Sequence, residues 1–185
     1  MSRRRGAERG GAGSLKRSGR NVGKRRMTRE IAVQMLYQVD LGGSSPREAI
    51  HSFDLLEYLR AARRGADEDG EAPAAVGAAE LEQAQLALEQ ASAMVRAVHE
   101  HLAELDERIR AQTENWRLER MPAVDRNILR LAVWEMLHDP EVPRLVALDE
   151  AVELAKRFGA ENSGRFVNGL LDGVMRALAA EDERA

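Results

Sequence analysis

Met121-Pro-Ala-Val-Asp-Arg-Asn-Ile-Leu-Arg-Leu-Ala-Val-Trp-Glu-Met-Leu137 is the stretch of the chain that decides the fold. A proline is tolerated at the start of a helix, and Asp125 follows in the first turn, where the helix dipole favours a carboxylate. Apolar side chains then recur over most of the helix circumference, which is typical of a helix enclosed by others. The stretch therefore predicts the central helix of a bundle, ending before Asp139-Pro140.

A second segment, Lys156-Arg-Phe-Gly-Ala-Glu-Asn-Ser-Gly-Arg-Phe-Val-Asn-Gly-Leu-Leu-Asp172, predicts a helix end, a tight corner and a new helix. Gly159 is placed like the glycine that ends a helix in the left-handed conformation. Asn162 or Ser163 can cap the next helix, whose apolar residues recur with a period near 3.6. The first turn of that helix holds an arginine, an aromatic and an amide: Arg165, Phe166 and Asn168. This set of side chains suggests a binding surface.

The remaining apolar patterns also predict helices, at residues 28–42, 45–64, 79–113 with a break near 101–104, and 143–158. No segment alternates apolar and polar residues for long enough to form a sheet. The expected fold is therefore all-α, a compact bundle of about seven helices. We expect one domain over residues 24–180, in which residues 65–78 form a flexible acidic loop. Residues 1–23 are expected to be a disordered basic arm, and residues 181–185 to be loose.

Charge is distributed unevenly along the chain. Residues 1–26 hold ten Lys or Arg and one acid, whereas the remainder holds 18 basic and 30 acidic residues. A basic arm on an acidic body favours nucleic-acid binding, although a solvated tail that only aids solubility would have the same composition. Arg26, Arg29, Val33 and Tyr37 continue the charge along one stripe of the first helix. Their spacing leaves open whether Tyr37 binds a partner or is a half-buried core tyrosine beside solvated arginines.

The chain lacks the usual signatures of catalysis. There is no cysteine, which excludes disulfides and thiolate metal sites and is compatible with a reducing cytosol. No apolar run is long enough to span a membrane, and the N-terminus lacks the apolar segment of a secretory signal. Phosphate loops and nucleophile elbows are absent, and the four histidines (51, 99, 101, 138) have no metal-ligand spacing. We therefore expect no enzymatic activity, no cofactor and no metal.

Three blocks of sequence together carry a resemblance to a known family. They are Arg25-Arg-Met-Thr-Arg-Glu-Ile-Ala-Val-Gln-Met-Leu-Tyr37, Trp116 to Leu137, and Val142 to Gly169. The most specific matches are Asp149-Glu-Ala-Val-Glu-Leu-Ala-Lys-Arg-Phe-Gly159 and Phe166-Val-Asn-Gly-Leu-Leu-Asp172. The chain closely resembles the bacterial NusB family of transcription antitermination factors over roughly residues 24–178, apart from the 65–78 loop.

The resemblance implies a small, all-helical, cytoplasmic protein that pairs with a small-subunit ribosomal protein acting as NusE. The pair would bind the boxA element of ribosomal RNA leader transcripts and help RNA polymerase read through terminators. Matched position by position, the resemblance implies RNA contacts from Lys24, Arg25, Arg26, Arg29, Arg165, Phe166 and Asn168. It also implies that Tyr37 and Asp125 face the ribosomal-protein partner.

The chain departs from the family pattern in places, and two other readings stay open. Residues 1–23 and the 65–78 loop are longer than usual, and Asn162 stands where an aspartate is common. Some members of the family form homodimers that hide the arginine-rich face. One alternative is a similar RNA-binding domain that serves a ribosomal RNA methyltransferase, but we expect no room for a catalytic domain in the seven residues after residue 178. The other alternative is a helical scaffold that binds only protein.

Overall fold

The structure, a computed structural model, describes residues 12–64, 75–113 and 117–184, with side chains described from Arg25 onward. These ranges contain eight α-helices, one short 3₁₀ helix and no β-strand, so the predicted all-α class is confirmed. The helices are α1 (Ala12–Gly42), α2 (Pro46–His51), α3 (Leu55–Arg64), α4 (Ala78–Glu100), α5 (Leu102–Arg110), the 3₁₀ helix Leu118–Arg120, α6 (Ala123–His138), α7 (Arg144–Phe158) and α8 (Ser163–Asp182).

Helix α6 lies at the centre of the bundle. It packs against α1, α5, α7 and α8, and its side chains Ile128, Leu129, Leu131 and Val133 are fully or almost fully buried. The prediction of a central helix is confirmed, because apolar residues over most of the circumference can be buried only by neighbours on several sides. Among the described helices, none is long and apolar enough to cross a membrane.

The helix predicted over residues 45–64 is two helices, and this raises the count from about seven to eight. Helix α2 begins with a capping box, in which the Ser45 N–H donates to Glu48 Oε2 (2.8 Å) and the Glu48 N–H donates to Ser45 Oγ (3.3 Å). Helix α2 ends at His51, and Asp54 Oδ1 then accepts the N–H of Glu57 (2.9 Å) at the start of α3. The apolar spacing continues across this break, so periodicity alone did not reveal it.

Helix α1 begins at Ala12, whereas order was predicted to begin near Lys24. Residues 12–23 contain no proline, and each residue added to an existing helix gains a hydrogen bond, so the backbone can continue the helix backwards. The rest of the predicted arm, residues 1–11, lies outside the described residues, as do residues 65–74 of the acidic loop. At the other end, α8 continues to Asp182, within the segment expected to be loose.

Gly159 ends α7 in an extended conformation (φ −89°, ψ −172°), so the prediction of a left-handed glycine is wrong. The position needs glycine for a different reason, which is space. A Cβ atom there would lie 2.5 Å from the Cβ and Oγ atoms of Ser163 and 2.7 Å from the carbonyl oxygen of Ala155. The close approach allows the Ala160 N–H to donate to Ser163 Oγ (2.9 Å), which holds the corner tightly between α7 and α8.

Candidate nucleic-acid interface

The arginines at the start of the packed part of α1 differ sharply in exposure. Arg29 is only 3% exposed, and its Nε lies 3.0 Å from both carboxylate oxygens of Glu135 on α6. A second carboxylate, that of Glu150 on α7, lies 3.8 Å from Arg29. Burial raises the pKa of Glu135, and the Arg29 guanidinium opposes that rise. Arg29 was expected to contact RNA at the surface. In this structure it forms an internal ion pair with Glu135 that joins α1 to α6.

Arg26 and Arg25 lie closer to solvent, and each faces an acid. Arg26 donates through two nitrogens to the two carboxylate oxygens of Glu150, at 3.2 and 3.1 Å. This hydrogen-bonded carboxylate raises the pKa of the Arg26 guanidinium. Arg25 is exposed, with its nearest carboxylate, that of Glu141, at 3.7 Å. We call Arg25, Arg26 and Arg29 the arginine face; the side chain of Lys24 lies outside the described residues.

A further ion pair connects α1, at the residue after Arg29, with the end of α7. Glu30 on α1 is buried, accepts a hydrogen bond from the Tyr58 hydroxyl (2.7 Å) and pairs with Arg157. Burial and the neighbouring Glu30 raise the pKa of Tyr58. Arg157 also lies over the ring of Phe158, 5.2 Å from its centroid. The stretch after Phe158 is the corner into α8, so this contact fixes the corner relative to α1.

The corner, which we define as residues 159–168, presents a different kind of surface. Arg165 and Asn168 are exposed, and within the described part of the chain Arg165 forms no ion pair. Phe166 is half-buried and packs against the hydrophobic core, which leaves part of its ring at the surface. An arginine, an aromatic and an amide therefore lie within the first two turns of α8. Arg165 and Phe166 are in the predicted first turn, whereas Asn168 is the sixth residue of the helix and lies in the second.

Asp125 is buried beneath this corner. It is 3% exposed and accepts a hydrogen bond from Ser163 Oγ (2.9 Å), while its Oδ1 is buried without a hydrogen-bond partner among the described residues. Burial raises the pKa of Asp125 against the opposing effect of the Ser163 hydrogen bond. The Asp125 carboxylate was expected to face a protein partner. In this structure it instead forms an internal contact between α6 and α8. The apolar residues over most of the circumference of α6 indicated that this helix is enclosed, and this was the signal for the burial of Asp125.

Tyr37 is 40% exposed and lies at the edge of an apolar groove rather than in the core. The groove is formed by α1, α6 and α7, and it is lined by Val33, Tyr37, Val124 and Phe158 together with two glutamines. An open apolar groove rimmed by polar side chains is the kind of surface that binds a protein segment. Because Phe158 precedes the corner directly, this groove adjoins the residues around Arg165.

A buried charge network was not identified from the sequence. Arg126 and Arg130 on α6 share Asp40 near the end of α1, with nitrogen–oxygen distances of 2.6 and 3.1 Å. Arg130 also pairs with Asp106 of α5 (2.7 Å). Although burial acts to raise the pKa of Asp40, the hydrogen bonds from the two arginines lower it overall. This network attaches α1 and α5 to α6.

Comparisons with known proteins identify the family and the fold of the chain. A family model described as the NusB family matches residues 26–176. The transcription antitermination protein NusB of Sorangium cellulosum is 44% identical over 161 residues, covering 87% of this chain and 98% of the relative. The solved structure of NusB from T. maritima is 30% identical, covering 83% of this chain and 90% of the other, with a TM-score of 0.59.

One similar solved structure contains partners. It is described as a crystal structure of the antitermination factors NusB and NusE in complex with double-stranded RNA. Its matching chain is 25% identical, with a TM-score of 0.59, covering 83% of this chain and 97% of the other. The arginine face from Arg26 onward and the whole corner lie inside the residues that the family model matches.

Proposed function

The chain belongs to the NusB family, and from that premise we propose that it binds the boxA element of ribosomal RNA leader transcripts together with the ribosomal protein that acts as NusE. The family is one of non-enzymatic antitermination factors, in agreement with the absence of catalytic motifs. In the cytoplasm the complex would act on RNA polymerase and promote read-through of terminators. The observation that carries the RNA-binding part is the exposed Arg165, with no acid paired to it in the described chain, beside Phe166 and Asn168.

Each side chain of the corner has a chemical role in this proposal. The Arg165 guanidinium would contact a phosphate, since contacts to the backbone supply most of the affinity for nucleic acid. The exposed part of the Phe166 ring would stack on an unpaired base. The Asn168 amide offers both a donor and an acceptor to a base edge.

The arginine face would contribute unequally. Exposed ion pairs are worth little, so Arg25 can exchange Glu141 for phosphate at small cost. The partner of Arg26, Glu150, is mostly buried, but Arg29 lies 3.8 Å from Glu150 and would still face it if Arg26 turned to a phosphate. Arg29 is different, because removing it from Glu135 would leave a buried carboxylate unpaired. We therefore assign RNA contact to Arg25 and Arg26, with Lys24 beside them in sequence, and assign Arg29 the task of holding α1 in position.

The groove beside Tyr37 is the proposed contact for the ribosomal protein. An exposed tyrosine next to apolar side chains supplies contact area and a hydroxyl for hydrogen bonding, as protein interfaces commonly do. Asp125 would support this surface indirectly by holding Ser163 and the corner in place. A homodimer that covers the arginine face is the competing arrangement, and light scattering of the purified chain would detect it.

The central test measures binding of a boxA-like RNA across a salt series, with and without the ribosomal protein. Arg165→Ala should weaken binding and make the salt dependence shallower by about one unit, corresponding to one lost phosphate contact. The control is Arg176→Ala, which removes an exposed arginine from the same helix that is already paired with Asp172 (2.6 Å). Equal effects of the two substitutions would contradict a specific role for the corner.

Phe166→Ala separates stacking from charge. Loss of a stacked base should cost about 1–3 kcal/mol of binding free energy while leaving the salt slope nearly unchanged. Because Phe166 also packs against the core, thermal unfolding of the variant must be measured alongside. A variant that loses stability but keeps RNA affinity would assign Phe166 to packing alone. No RNA binding by the wild-type chain, with or without the ribosomal protein, would favour a scaffold that binds only protein.

A further inference from the structure

Three side chains of the kinds that ligate metals meet where the junction of α4 and α5 lies against the end of α6. His101 Nδ1 lies 3.1 Å from Glu104 Oε2, and His138 Nε2 lies 3.3 Å from the same oxygen. All three ligand atoms lie within 4.8 Å of one another. The two imidazole rings face each other, with centroids 4.1 Å apart and planes inclined by 30°. Two imidazole nitrogens therefore lie next to the same carboxylate oxygen.

The fold creates this cluster from positions that are far apart in the sequence. His101 is the junction residue between α4 and α5, and Glu104 follows in the first turn of α5. His138 is the last residue of α6, which packs against α5. The histidines were expected to form no metal site because their sequence spacing lacks a metal-ligand pattern. Sequence spacing reveals ligands on one helix or loop, but it does not reveal ligands that come together from different helices, as His101 and His138 do.

We propose that His101, Glu104 and His138 form a binding site for a transition-metal dication of the Zn²⁺ class. Zn²⁺ accepts two imidazoles and a carboxylate, and water can complete its four ligands. Bonds of about 2.0–2.1 Å in a tetrahedron place neighbouring ligand atoms about 3.3 Å apart. The two nitrogen–oxygen distances of 3.1 and 3.3 Å already match that spacing. Mg²⁺ and Ca²⁺ prefer all-oxygen sites, so this ligand set selects against them.

The surroundings leave the site accessible and its carboxylate available. The three side chains are 29–42% exposed, so an ion can enter and a water ligand can remain. Arg108 is close enough to Glu104 for its charge to act there, but its guanidinium pairs with Glu181. Modest rotation of the half-exposed imidazoles would bring their nitrogens closer around the ion. A bound ion would connect the α4–α5 junction to the end of α6, and would therefore stabilise the folded chain.

The test titrates Zn²⁺ into the full-length chain, freed of any histidine tag, by isothermal calorimetry and by thermal unfolding. Wild type should bind one ion saturably and unfold at a higher temperature with ZnCl₂ than with MgCl₂. The double variant His101→Ala/His138→Ala should lose both effects. The matched control is His51→Ala/His99→Ala, which also removes two histidines, both exposed, and should retain both effects. Equal zinc binding by the two double variants would overturn the proposal.

Glu104→Gln provides a variant with nearly unchanged shape. An amide is a poorer metal ligand than a carboxylate. Loss of a residue that only hydrogen-bonds to a ligand typically weakens metal affinity roughly 10–100-fold, so we expect loss of a ligand itself to lower the affinity for Zn²⁺ at least tenfold. Unchanged affinity in Glu104→Gln would show that the ion binds elsewhere and would reject the site.

Discussion

The arginine face and the corner are both rich in the residues expected to bind RNA, but the fold treats them in opposite ways. On the arginine face, carboxylates from α6, α7 and the turn between them lie against Arg25, Arg26 and Arg29. At the corner, Arg165 is exposed and has no ion pair within the described residues. A cluster of arginines in a sequence therefore does not measure the positive charge available to RNA. Acids contributed by distant helices decide how much of that charge remains.

The strongest test of this contrast is Arg29→Ala. Removing one partner of a buried ion pair leaves the other charge without compensation, and typically destabilises a protein by about 3–5 kcal/mol. The cost should appear here because Glu135 is 3% exposed and bonded by Arg29 through both carboxylate oxygens. Urea unfolding followed by circular dichroism measures the change. On the opposing view that Arg29 acts mainly on RNA, stability would stay close to that of wild type and only RNA affinity would fall.

A double variant serves as the control for that experiment. Replacing a buried ion pair by apolar residues of similar size is often neutral or stabilising. Arg29→Met combined with Glu135→Leu should therefore recover most of the stability that Arg29→Ala loses. Failure to recover would mean that Glu150, 3.8 Å from Arg29, depends on the arginine as well.

The corner is tested next by Gly159→Ala, for which we expect a loss of about 1–3 kcal/mol in stability, the usual cost of overpacking. The added methyl group would meet Ser163 and the backbone carbonyl of Ala155, and the backbone has little room to move. The matched control is Gly169→Ala, because a Cβ there meets no atom within 4 Å and alanine favours a helix. Destabilisation by both substitutions to the same extent would contradict a packing role for Gly159.

The same two regions show how far sequence reasoning reached. The central helix, the break before α5 and the corner were predictable because each depends on local periodicity, capping or glycine placement. The partners of Arg29 and Asp125 were not, because Glu135 and Ser163 are 106 and 38 residues away in the sequence. Burial of a charged side chain depends on such long-range contacts. The reason why position 159 requires glycine was also missed. The requirement comes from the limited space between Ala155 and Ser163, and not from the φ angle of Gly159 itself.

Asp125 offers a test through pH. Because burial raises its pKa in the folded chain, the folded state holds the proton more tightly than the unfolded state does. The stabilising contribution is therefore complete below the unfolded pKa of about 3.9 and is lost as pH rises through the folded pKa. Asp125→Asn cannot titrate, so its stability relative to wild type should increase as pH rises above about 4.

The measurement is urea unfolding of both proteins at several pH values, compared as a difference. Taking the difference cancels the carboxylates whose pKa is lowered, such as Asp40, which shift stability in the other direction. Asp149→Asn, at an exposed position on α7, reports the general effect of losing one charge. If the difference in stability between Asp125→Asn and wild type stays constant from about pH 4 to neutrality, the pKa of Asp125 is not raised by folding and the prediction is wrong.

The smallest effect is expected from Asn162→Asp, and it should have opposite signs for stability and for RNA binding. Asn162 is the exposed N-cap of α8 and makes no side-chain capping bond. A carboxylate there would interact favourably with the helix dipole and stabilise the fold by about 0.3–1 kcal/mol. The same charge, close to Arg165, would repel phosphate and weaken RNA binding at low salt, and this loss should shrink as salt screens it. If affinity and stability instead move together, or affinity is unchanged at low salt, the RNA does not approach this end of the corner.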